Sequence, residues 1–372
     1  MTFRRDAPYN DLPPLAPAGV ELETRAVLKQ AIAANRALAE LKGAGDLLRV
    51  FALGENLVPN PSVLVRVIGL QEAKWSSEIE NIVTTNDELY RAFSEENGNG
   101  TDPQTKEVLS YNDALWHGFN RLQEGVPLAT RLFVEIARVV KGADLDIRAT
   151  PGTQIQNSAT GAVIYTPPEG ERVIRDKLAN LERFLHAGDS LDPLVKMAVL
   201  HYQFEAIHPF TDGNGRTGRI LNILYLVQAG LLDLPVLYLS GFIIEHKADY
   251  YAGLRAVTET GKWEPWVLFL LRAVEETAAR THARLRAIRA LMEETAARVR
   301  ADLPKVYSKD LVELLFAQPY TKIRTLEYAG LGHRQTVSKY LNELARIGVL
   351  TAVPRGREIY FVNAALLRLL TE

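Results

Sequence analysis

Apolar residues recur every three or four positions along most of this chain, a spacing typical of helices that bury one face. Asn60-Pro61 and Asp102-Pro103 each place a capping residue before a proline, and this pair predicts a helix start at both points. We expect a break near Gly69, within the helix that begins at position 60. Helices are predicted over residues 21–41, with Lys42-Gly43 ending that helix, and over 60–81, from 102 onward, 127–141, 171–185, 193–207, 248–259 and 263–302.

Residues 153–168 depart from the helical spacing. Short apolar stretches around Ile155 and Ile164 flank Ser158-Ala-Thr-Gly161, and two prolines follow, so the sequence predicts a β-hairpin. An isolated hairpin in a helical protein presents an edge strand that can accept an extended peptide by main-chain pairing. The residues expected to meet such a peptide are Gln154, Ile155, Gln156, Val163, Ile164 and Tyr165.

Residues 305–372, the C-terminal unit, have a pattern of their own. Ser308 is expected to cap one helix; a helix over 321–329, a Gly330-Leu-Gly332 turn, a second helix over 333–347 and strands over 349–353 and 358–362 follow. This order resembles a winged helix-turn-helix domain. The unit contains 10 Lys and Arg residues against 6 Asp and Glu, a mild positive excess that suits either DNA binding or protein contacts. The candidate DNA-binding residues are Arg334, Gln335, Ser338 and Lys339 on the second helix, and Arg355 and Arg357 at the hairpin tip.

Composition narrows the class of protein. The length of 372 residues allows two or three domains, and the net charge of −2 argues against a protein that coats nucleic acid along its whole length. Cysteine is absent, which excludes disulfides, thiol catalysis and cysteine zinc sites. The charge-free apolar run 220–232 is too short to span a bilayer, and no apolar core follows the first arginines as in a signal peptide. We expect a cytoplasmic protein without a membrane partner.

Residues 208–219, the signature, read His-Pro-Phe-Thr-Asp-Gly-Asn-Gly-Arg-Thr-Gly-Arg and are suited to handling a polyphosphate. Asp212 offers hard oxygen to a divalent cation. The backbone N–H groups of residues 213–215 can form an anion nest. The apolar run from Ile220 predicts a helix, whose N-terminus would direct a partial positive charge at that nest.

The remaining signature residues add fixed charge and a base. Arg216 and Arg219 carry bidentate donors, and His208 is the signature's one side chain that accepts a proton near neutral pH. Two other interpretations compete. The glycines at 213, 215 and 218 also spell a dinucleotide fingerprint, but no hydrophobic strand precedes them, as that motif requires. A purely structural glycine-rich turn would explain an isolated His-Pro, although not the whole set of twelve residues.

The signature resembles that of the Fic family, His-Pro-Phe-x-(Asp/Glu)-Gly-Asn-Gly-Arg-x-x-Arg, at every specified position. This resemblance implies transfer of a nucleoside monophosphate, usually AMP from ATP, onto a protein hydroxyl, with the chain itself among the candidate targets. It implies that His208 is the base, that Asp212 binds Mg²⁺, and that Arg219 meets the γ-phosphate. The nucleotide-binding residues that it implies are Asp212, Gly213, Asn214, Gly215, Arg216, Thr217, Gly218, Arg219 and Tyr251.

The resemblance extends over about residues 8–270. In Fic relatives a hairpin at the place of residues 153–168, called the flap here, positions the target segment. Relatives of the Doc group carry Lys where Gly215 stands and transfer a phosphate, so Gly215 favours nucleotidyl transfer. Tyr250-Tyr251 falls where relatives line the adenine pocket, but Thr258 replaces a frequent Asn, which leaves the base preference open. Phe210 and His201 are expected to be packing residues.

Ser76-x-x-x-Glu80-Asn81 matches the (Ser/Thr)-x-x-x-Glu-(Gly/Asn) motif of the inhibitory helix in many Fic proteins. Ser76 and Glu80 are four residues apart, so they share one face of the predicted helix. The resemblance implies that Glu80 competes with the γ-phosphate for Arg219. The same carboxylate would also be placed to orient a water in the removal of AMP.

We therefore expect a mainly α protein: a Fic-type helical bundle with a β-hairpin flap, followed by a C-terminal winged helix domain. The expected domains are an N-terminal segment with the inhibitory helix (1–101), a catalytic domain (102–272), a helical linker with solvated faces in its later half (273–304) and the winged helix-turn-helix domain (305–372). The expected function is AMP transfer from ATP, with Mg²⁺, to a protein target. AMP removal, another nucleoside triphosphate, and a DNA-binding regulator that only senses nucleotide stay open.

Overall fold

The computed structural model describes residues 3–50, 62–95, 101–157, 160–356 and 358–371. Its helices are α1 (Arg25–Val50), α2 (Ser62–Ile79), α3 (Asn86–Phe93), α4 (Pro103–Gln123), α5 (Thr130–Lys141), α6 (Glu171–Leu185), α7 (Pro193–Ile207), α8 (Asn214–Gln228), α9 (Leu239–Glu245), α10 (Lys247–Thr260), α11 (Trp263–Asp302), α12 (Lys309–Ala317), α13 (Ile323–Tyr328), α14 (Arg334–Arg346) and α15 (Ala364–Thr371). Its strands are β1 (Ile155–Gln156), β2 (Val163–Tyr165), β3 (Tyr320–Thr321), β4 (Thr351–Arg355) and β5 (Glu358–Val362). The predicted mainly α fold is confirmed.

Helices α7 and α8 form the centre of the bundle, because nearly every side chain of both is buried. Asp192 caps α7 as its side chain accepts a hydrogen bond from Leu194 N at 2.8 Å, and Pro193 fills the first helical position. Helices α4, α5, α6 and α11 pack around this pair. The first part of the signature, residues 208–213, forms the loop that joins α7 to α8. Both ends of this loop are therefore fixed in the centre of the core.

The N-terminal helices differ from the predicted bounds. Thr24 accepts a hydrogen bond from Val27 N at 3.3 Å and caps α1, which begins at Arg25 and continues through Gly43 to Val50. The predicted end at position 43 is wrong, since the glycines at 43 and 45 each cost a helix only about 1 kcal/mol and α1 packs along α11. The predicted break at Gly69 is wrong for the same reason; α2 is continuous and packs on α4. The predicted start at positions 60–61 lies outside the described residues.

The later half of α11 is not a solvated spacer. Its buried residues there are Thr277, Ala278, Thr281, Leu285, Ile288, Thr295 and Val299, and they face α1 and the C-terminal unit. The buried residues of this segment recur on one side of the helix. The abundance of Ala, Arg and Glu makes this pattern difficult to recognise in the sequence. In the part of the chain described, no helix has the length and hydropathy needed to cross a membrane. The domain boundaries stay predictions.

The C-terminal unit contains the predicted helix pair and hairpin. Ser308 caps α12 by accepting a hydrogen bond from Leu311 N at 3.1 Å. Strands β4 and β5 pair antiparallel with Ala352 opposite Phe361, and β3 extends the sheet to the order β3-β5-β4. Neither β3 nor α15 was predicted, because a two-residue strand has no period and α15 is a short apolar run. Helices α12 and α15 pack against α2 and α11.

Candidate active site

A cavity of about 630 Å³ lies where the ends of α2 and α7, the start of α8, the flap and α10 meet. It brings together side chains that are far apart in the sequence. Of the residues singled out from the sequence, those that line it are Glu80, Asn81, Ile155, Gln156, Ile164, Tyr165, His208, Gly215, Arg219, Tyr250, Tyr251 and Thr258. The size suits a nucleotide-sized ligand.

The signature folds into a tight loop between α7 and α8. His208 ends α7 in the left-handed region, with φ 49° and ψ 60°, and Pro209 prevents the helix from continuing. Asn214 closes the loop: its Oδ1 accepts from Phe210 N and its Nδ2 donates to Phe210 O, both at 2.8 Å. Phe210 is fully buried, which confirms it as the anchor of the loop.

Helix α8 begins at Asn214, six residues before the predicted start at Ile220. The signature therefore supplies the first turn of the helix, and its free N–H groups lie at positions 214–216. Gly213 precedes them in the left-handed conformation at φ 79°, and its N donates to Asp212 Oδ1 at 2.5 Å, so the anion nest expected over 213–215 stays a prediction. A Cβ on Gly215 would lie 2.2 Å from Glu80 Oε1, so a larger residue there would displace the Glu80 side chain from Arg219.

Arg219 is the most tightly held cation of the cavity. Its Nε donates to Ser76 Oγ at 2.8 Å, and its Nη2 donates to Ser76 O at 2.8 Å and to Glu80 Oε1 at 2.9 Å. The Arg219 side chain is 1% exposed and that of Glu80 38%. Burial alone would lower the pKa of Arg219, but Glu80 and other nearby acidic groups raise it, so the guanidinium stays charged.

Glu80 lies just after α2, in the turn that ends it. Ile82 N donates to Ser77 O and Asn81 N to Glu78 O, both at 3.0 Å, and Asn81 has φ 64°. This is the Schellman arrangement, whose left-handed position accepts Gly or Asn. The requirement for Gly or Asn at this point of the motif thus has a backbone cause, and the predicted placement of Glu80 on the helix itself is off by one residue.

A buried carboxyl group anchors the same face of α2. Glu72 precedes Ser76 by one turn and accepts hydrogen bonds from Ser240 N at 2.9 Å, Ser240 Oγ at 2.5 Å and Tyr111 OH at 3.2 Å. Burial raises the pKa of Glu72 to about 7, although these donors and Arg219 oppose the rise. Because α4 and α9 supply the donors, Glu72 fixes the depth at which Ser76 and Glu80 meet Arg219.

His208 is kept neutral by its surroundings. Burial, and then the positive charge of Arg148, lower the pKa of His208 to about 4, against weaker opposing effects of Glu80 and Asp212. A neutral imidazole at pH 7 has a free nitrogen that can accept a proton. A neutral imidazole is compatible with the role of general base, which stays a prediction for this residue.

Asp212 lies on the outer rim of the loop in a network of charges. Its Oδ2 is 2.6 Å from Lys141 Nζ, and its Oδ1 is 3.8 Å from Arg216 Nη2. Arg216 is buried and pairs with Glu107 at 3.2 Å, so it braces the loop. Burial alone would raise the pKa of Asp212, but the hydrogen bond and charge of Lys141 lower it, which keeps the carboxylate ionised.

No group of three or more metal-ligating side chains occurs among the described residues. Magnesium in nucleotide sites nevertheless takes one or two carboxylates, with phosphate oxygens and waters completing its shell. Asp212, 63% exposed and ionised beside the nest, fits that role.

Three models of known families match this chain. The model of the Fic/DOC family matches residues 127–226, that of the Fic/DOC family N-terminal region matches 28–120, and that of the protein adenylyltransferase SoFic-like C-terminal domain matches 291–366. This chain contains Fic/DOC family domains.

Curated relatives carry the same family name. The protein adenylyltransferase fic-1 of Caenorhabditis briggsae is 34% identical over 120 residues, which are 31% of this chain and 22% of that protein. The protein adenylyltransferase Fic of Nematostella vectensis is 36% identical over 173 residues, 46% of this chain and 38% of that protein. The matched part of the chain thus spans well under half the length of these relatives.

A solved structure shares the fold. The crystal structure of a Fic family protein from Desulfovibrio desulfuricans G20 has a TM-score of 0.50 and 20% identity, and the match covers 91% of this chain and 96% of that one. At this identity the likeness shows the fold alone. It confirms the Fic-type helical bundle.

The predicted nucleotide-binding residues of the loop have different surroundings. Gly215 and Arg219 line the cavity, whereas Asn214, Thr217 and Gly218 are packed inside the protein. A Cβ on Gly218 would lie 2.4 Å from Glu205 Oε1 and 3.1 Å from Phe204 Cδ1, so a larger residue there would require the Glu205 side chain to move. The packed residues would act on a nucleotide through the backbone of α8, and their roles stay predictions.

The aromatic side of the cavity is built on α10. Tyr251 lines the cavity and is 40% exposed, and burial raises its pKa to about 12. Tyr250 is buried and its hydroxyl is 2.9 Å from His201 Nε2, while His201 stacks on Trp266. His201 is therefore a packing residue, as predicted. Thr258 also lines the cavity.

The flap pairs β1 and β2 antiparallel, with Ile155 opposite Tyr165, as predicted. Gln154 and Gln156 are exposed, and Val163 and Ile164 are partly buried. Tyr165 instead faces inward, where its hydroxyl donates to Ala206 O at 2.8 Å. Docking of a target to this hairpin stays a prediction, for which the main chain of the flap is available.

The candidate DNA-binding residues of the C-terminal unit have different surroundings. Arg334, Gln335 and Lys339 are exposed on α14, and Ser338 is partly buried. Arg355 pairs with Asp87 of α3 at 2.9 Å, so the β4–β5 hairpin contacts the N-terminal segment. Arg357 lies outside the described residues.

Sequence reasoning missed Lys141, Arg148 and Glu205 at the site. Glu205 lines the cavity one turn before His208, and burial raises its pKa to about 7. A charged residue late in an apolar helix was a signal for Glu205. For Lys141 and Arg148 no spacing in the sequence pointed to the signature loop.

Proposed function

We propose that this chain is a protein adenylyltransferase that moves AMP from ATP to a hydroxyl side chain of a protein, its own included, and that Glu80 restrains it. The observation that carries the proposal is the contact of Arg219 with Glu80 at 2.9 Å, in the cavity that also holds His208. The adenylyltransferase names of the curated relatives support the reaction type.

The residues suit an in-line transfer. His208, neutral at pH 7, takes the proton of the target hydroxyl. The hydroxyl oxygen forms a bond to the α-phosphorus, the bond from that phosphorus to the oxygen bridging to the β-phosphate breaks, and pyrophosphate leaves. The free N–H groups at the N-terminus of α8 would meet the phosphates.

Asp212 would hold Mg²⁺ at the outer side of the nest. The ion, when bound, neutralises charge on the phosphates. To bind the ion, Asp212 must release its contact with Lys141. Lys141 can then pair with Glu107, whose Oε1 is 3.6 Å from Lys141 Nζ. A compartment that supplies ATP and Mg²⁺ is needed, and we propose the cytoplasm.

Restraint follows from competition for one guanidinium. Arg219 is expected to meet the γ-phosphate, but Glu80 already occupies its Nη2. With Glu80 in place, a bound triphosphate is displaced from the geometry that in-line attack requires, and small displacements reduce rates steeply. Glu80 faces the same cavity as His208, which also makes AMP removal from a modified protein the second candidate activity.

The experiment is incubation of the Glu80→Gly variant with Mg²⁺ and each labelled nucleoside triphosphate, followed by gel detection of labelled protein. We expect label from α-labelled ATP and loss of that label in Glu80→Gly/His208→Ala, since a general base contributes about 10²–10⁴ in rate. If only another nucleoside triphosphate gives label, that triphosphate is the substrate in place of ATP. Label lost from AMP-modified protein by the wild type would favour the removal reaction.

We propose that the C-terminal unit is a winged helix whose exposed α14 surface contacts DNA. Arg334, Gln335 and Lys339 support this, because long polar side chains at the start of such a helix can reach base edges. Pairing of Arg355 with Asp87 means that α14, rather than the hairpin, would make the first contact.

A further inference from the structure

Three consecutive carbonyl groups at the C-terminal end of α7 lack helical partners, as at any helix end. Here the side chains of Tyr165 and Arg148 donate hydrogen bonds to all three. Tyr165 OH donates to Ala206 O at 2.8 Å, and Arg148 donates to Ile207 O from Nη2 at 3.3 Å and to His208 O from Nε at 2.7 Å. Tyr165 belongs to the flap and Arg148 to the loop before it, so both donors come from one segment.

Arg148 extends this connection to the far end of the flap. Its Nη2 also donates to Pro168 O, and its backbone N donates to Pro209 O at 2.9 Å. One residue therefore holds the end of the flap at Pro168, the end of α7 and the loop that carries His208. Arg148 therefore links the flap, where the target would bind, to the loop that carries His208, the proposed base.

The surroundings of Arg148 are unusual for a purely structural residue. It is 3% exposed, and its side chain donates to the carbonyl groups of Ile207, His208 and Pro168. Burial lowers the pKa of Arg148, and the charges of Tyr165 and Glu169 oppose this change. Burying a charge mainly against carbonyl groups is costly, and such groups are retained where a site needs them.

His208 needs external support at this point. A residue other than glycine at φ 49° is in the sparsely populated left-handed region, which costs about 1–2 kcal/mol and persists only when its surroundings fix it. The bonds from Arg148 to the Ile207 carbonyl and to the His208 carbonyl lie on either side of the strained residue.

We propose that Arg148 and Tyr165 are positioning residues that fix the flap to the base, so that a target hydroxyl on the flap and the imidazole of His208 stay in register. The inference rests on the proposed function for its kinetic consequence, but not for its structural one. Neither residue touches the reacting atoms; each acts through the carbonyl groups that it holds.

Arg148 also acts on His208 by its charge. The charged groups that face His208 are Arg148 from the loop after α5, Glu80 after α2 and Asp212 in the signature. Arg148 lowers the pKa of His208, whereas the two carboxylates raise it. Replacement of Arg148 by a neutral residue therefore raises the pKa of the imidazole, and replacement by Lys keeps most of the effect.

The structural test is the titration of His208 by NMR in histidine-labelled protein, with His208→Ala to assign its signal. We expect a higher His208 pKa in Arg148→Gln and a nearly unchanged one in Arg148→Lys. The matched control is Arg138→Gln, because Arg138 also donates to a carbonyl, that of Leu145 at 2.7 Å, but is exposed. This test needs no catalytic activity.

The kinetic test uses labelled ATP in the Glu80→Gly background. We expect about 10²-fold slower labelling in Arg148→Lys, since the ammonium cannot replace the fork of donors and misplacement of the base costs about that factor. Tyr165→Phe should slow labelling several-fold, with ATP affinity changed less than threefold in both. Arg138→Gln should label at the parent rate.

The outcomes separate the two proposals. No labelling by Glu80→Gly itself refutes the proposed function, while the titration still decides whether Arg148 acts on His208. Parent-like labelling in folded Arg148→Lys and Tyr165→Phe, together with an unshifted His208 in Arg148→Gln, overturns the inference. Rates that fall only in proportion to the loss of folded protein, measured by thermal unfolding, overturn it also, because they indicate a structural role alone.

Discussion

Replacement of Glu80 by glycine removes one of three hydrogen bonds to Arg219 and leaves the other two in place. Ser76 still accepts from Nε and Nη2, both at 2.8 Å, so the guanidinium keeps its direction while Nη2 loses its anionic partner. The substitution also does little to α2. Glu80 follows the last helical residue, so the penalty of about 1 kcal/mol for glycine inside a helix does not apply in full.

The size of the effect follows from the exposure of the pair. Arg219 is buried, which strengthens the attraction, but Glu80 is 38% exposed and solvent screens it. Exposed pairs contribute up to about 1 kcal/mol, and loss of a partner from a buried pair costs about 3–5 kcal/mol. We therefore place the competition at about 1–3 kcal/mol, which corresponds to a gain of about 5- to 150-fold in Arg219 available to a phosphate.

The assay is automodification with α-labelled ATP and Mg²⁺, quantified as initial rates at equal protein concentration. Glu80→Gly should exceed the wild type by that factor, and Glu80→Gln should lie between them because it loses the charge but keeps an acceptor. Glu78→Ala is the matched control: Glu78 is two residues away and makes none of the hydrogen bonds to Arg219. Its rate should equal that of the wild type.

A further substitution tests the cause. Arg219→Ala in the Glu80→Gly background should lose the gain, since no guanidinium is then left to meet the phosphate. If Glu80→Gly is folded, binds ATP and labels no faster than the wild type, the competition does not limit the reaction. Glu80 would then be only a helix-end residue that happens to pair with Arg219.

Four further predictions concern the base, in its reaction and in its effect on stability, the loop and the C-terminal unit. His208 should contribute no acid limb to labelling by Glu80→Gly between pH 6 and 8, because its pKa is about 4, and a titration midpoint of His208 near pH 6.5 by NMR would contradict the effect of burial. Because the His208 pKa is low in the folded protein, the unfolded chain binds more protons than the folded one between about pH 6.5 and 4. His208 should therefore reduce the free energy of unfolding as pH falls through this range. In urea titrations, His208→Ala should lose less stability over the same range. Phe210→Ala should destabilise the protein by about 3–5 kcal/mol in urea unfolding, because Phe210 is fully buried, and a change below 1 kcal/mol would show that it does not anchor the loop. Arg334→Ala and Gln335→Ala should alter the duplex sequences enriched in a selection at low salt, and no enrichment by the wild type would leave α14 as a protein-contact surface.

Local patterns in the sequence determined much of the secondary structure. Asp102-Pro103 and Ser308 predicted two helix starts that the structure confirms, because a cap and its first turn are decided by neighbouring residues. The signature fixed His208 and Arg219 on either side of one loop for the same reason. The role of Glu80, by contrast, came from resemblance to a family and not from its own surroundings.

Only the tertiary structure decided which distant residues meet. Glu80 reaches Arg219 across 139 positions, and Arg148 reaches the His208 carbonyl across 60. Helical spacing gives the face that a helix buries but not the partner that covers it, so α1 and α11 were predicted as helices and their packing was not. Gly43 and Gly69 show the same limit: each is a local helix breaker, and the packing energy of a long buried face exceeds the small local cost.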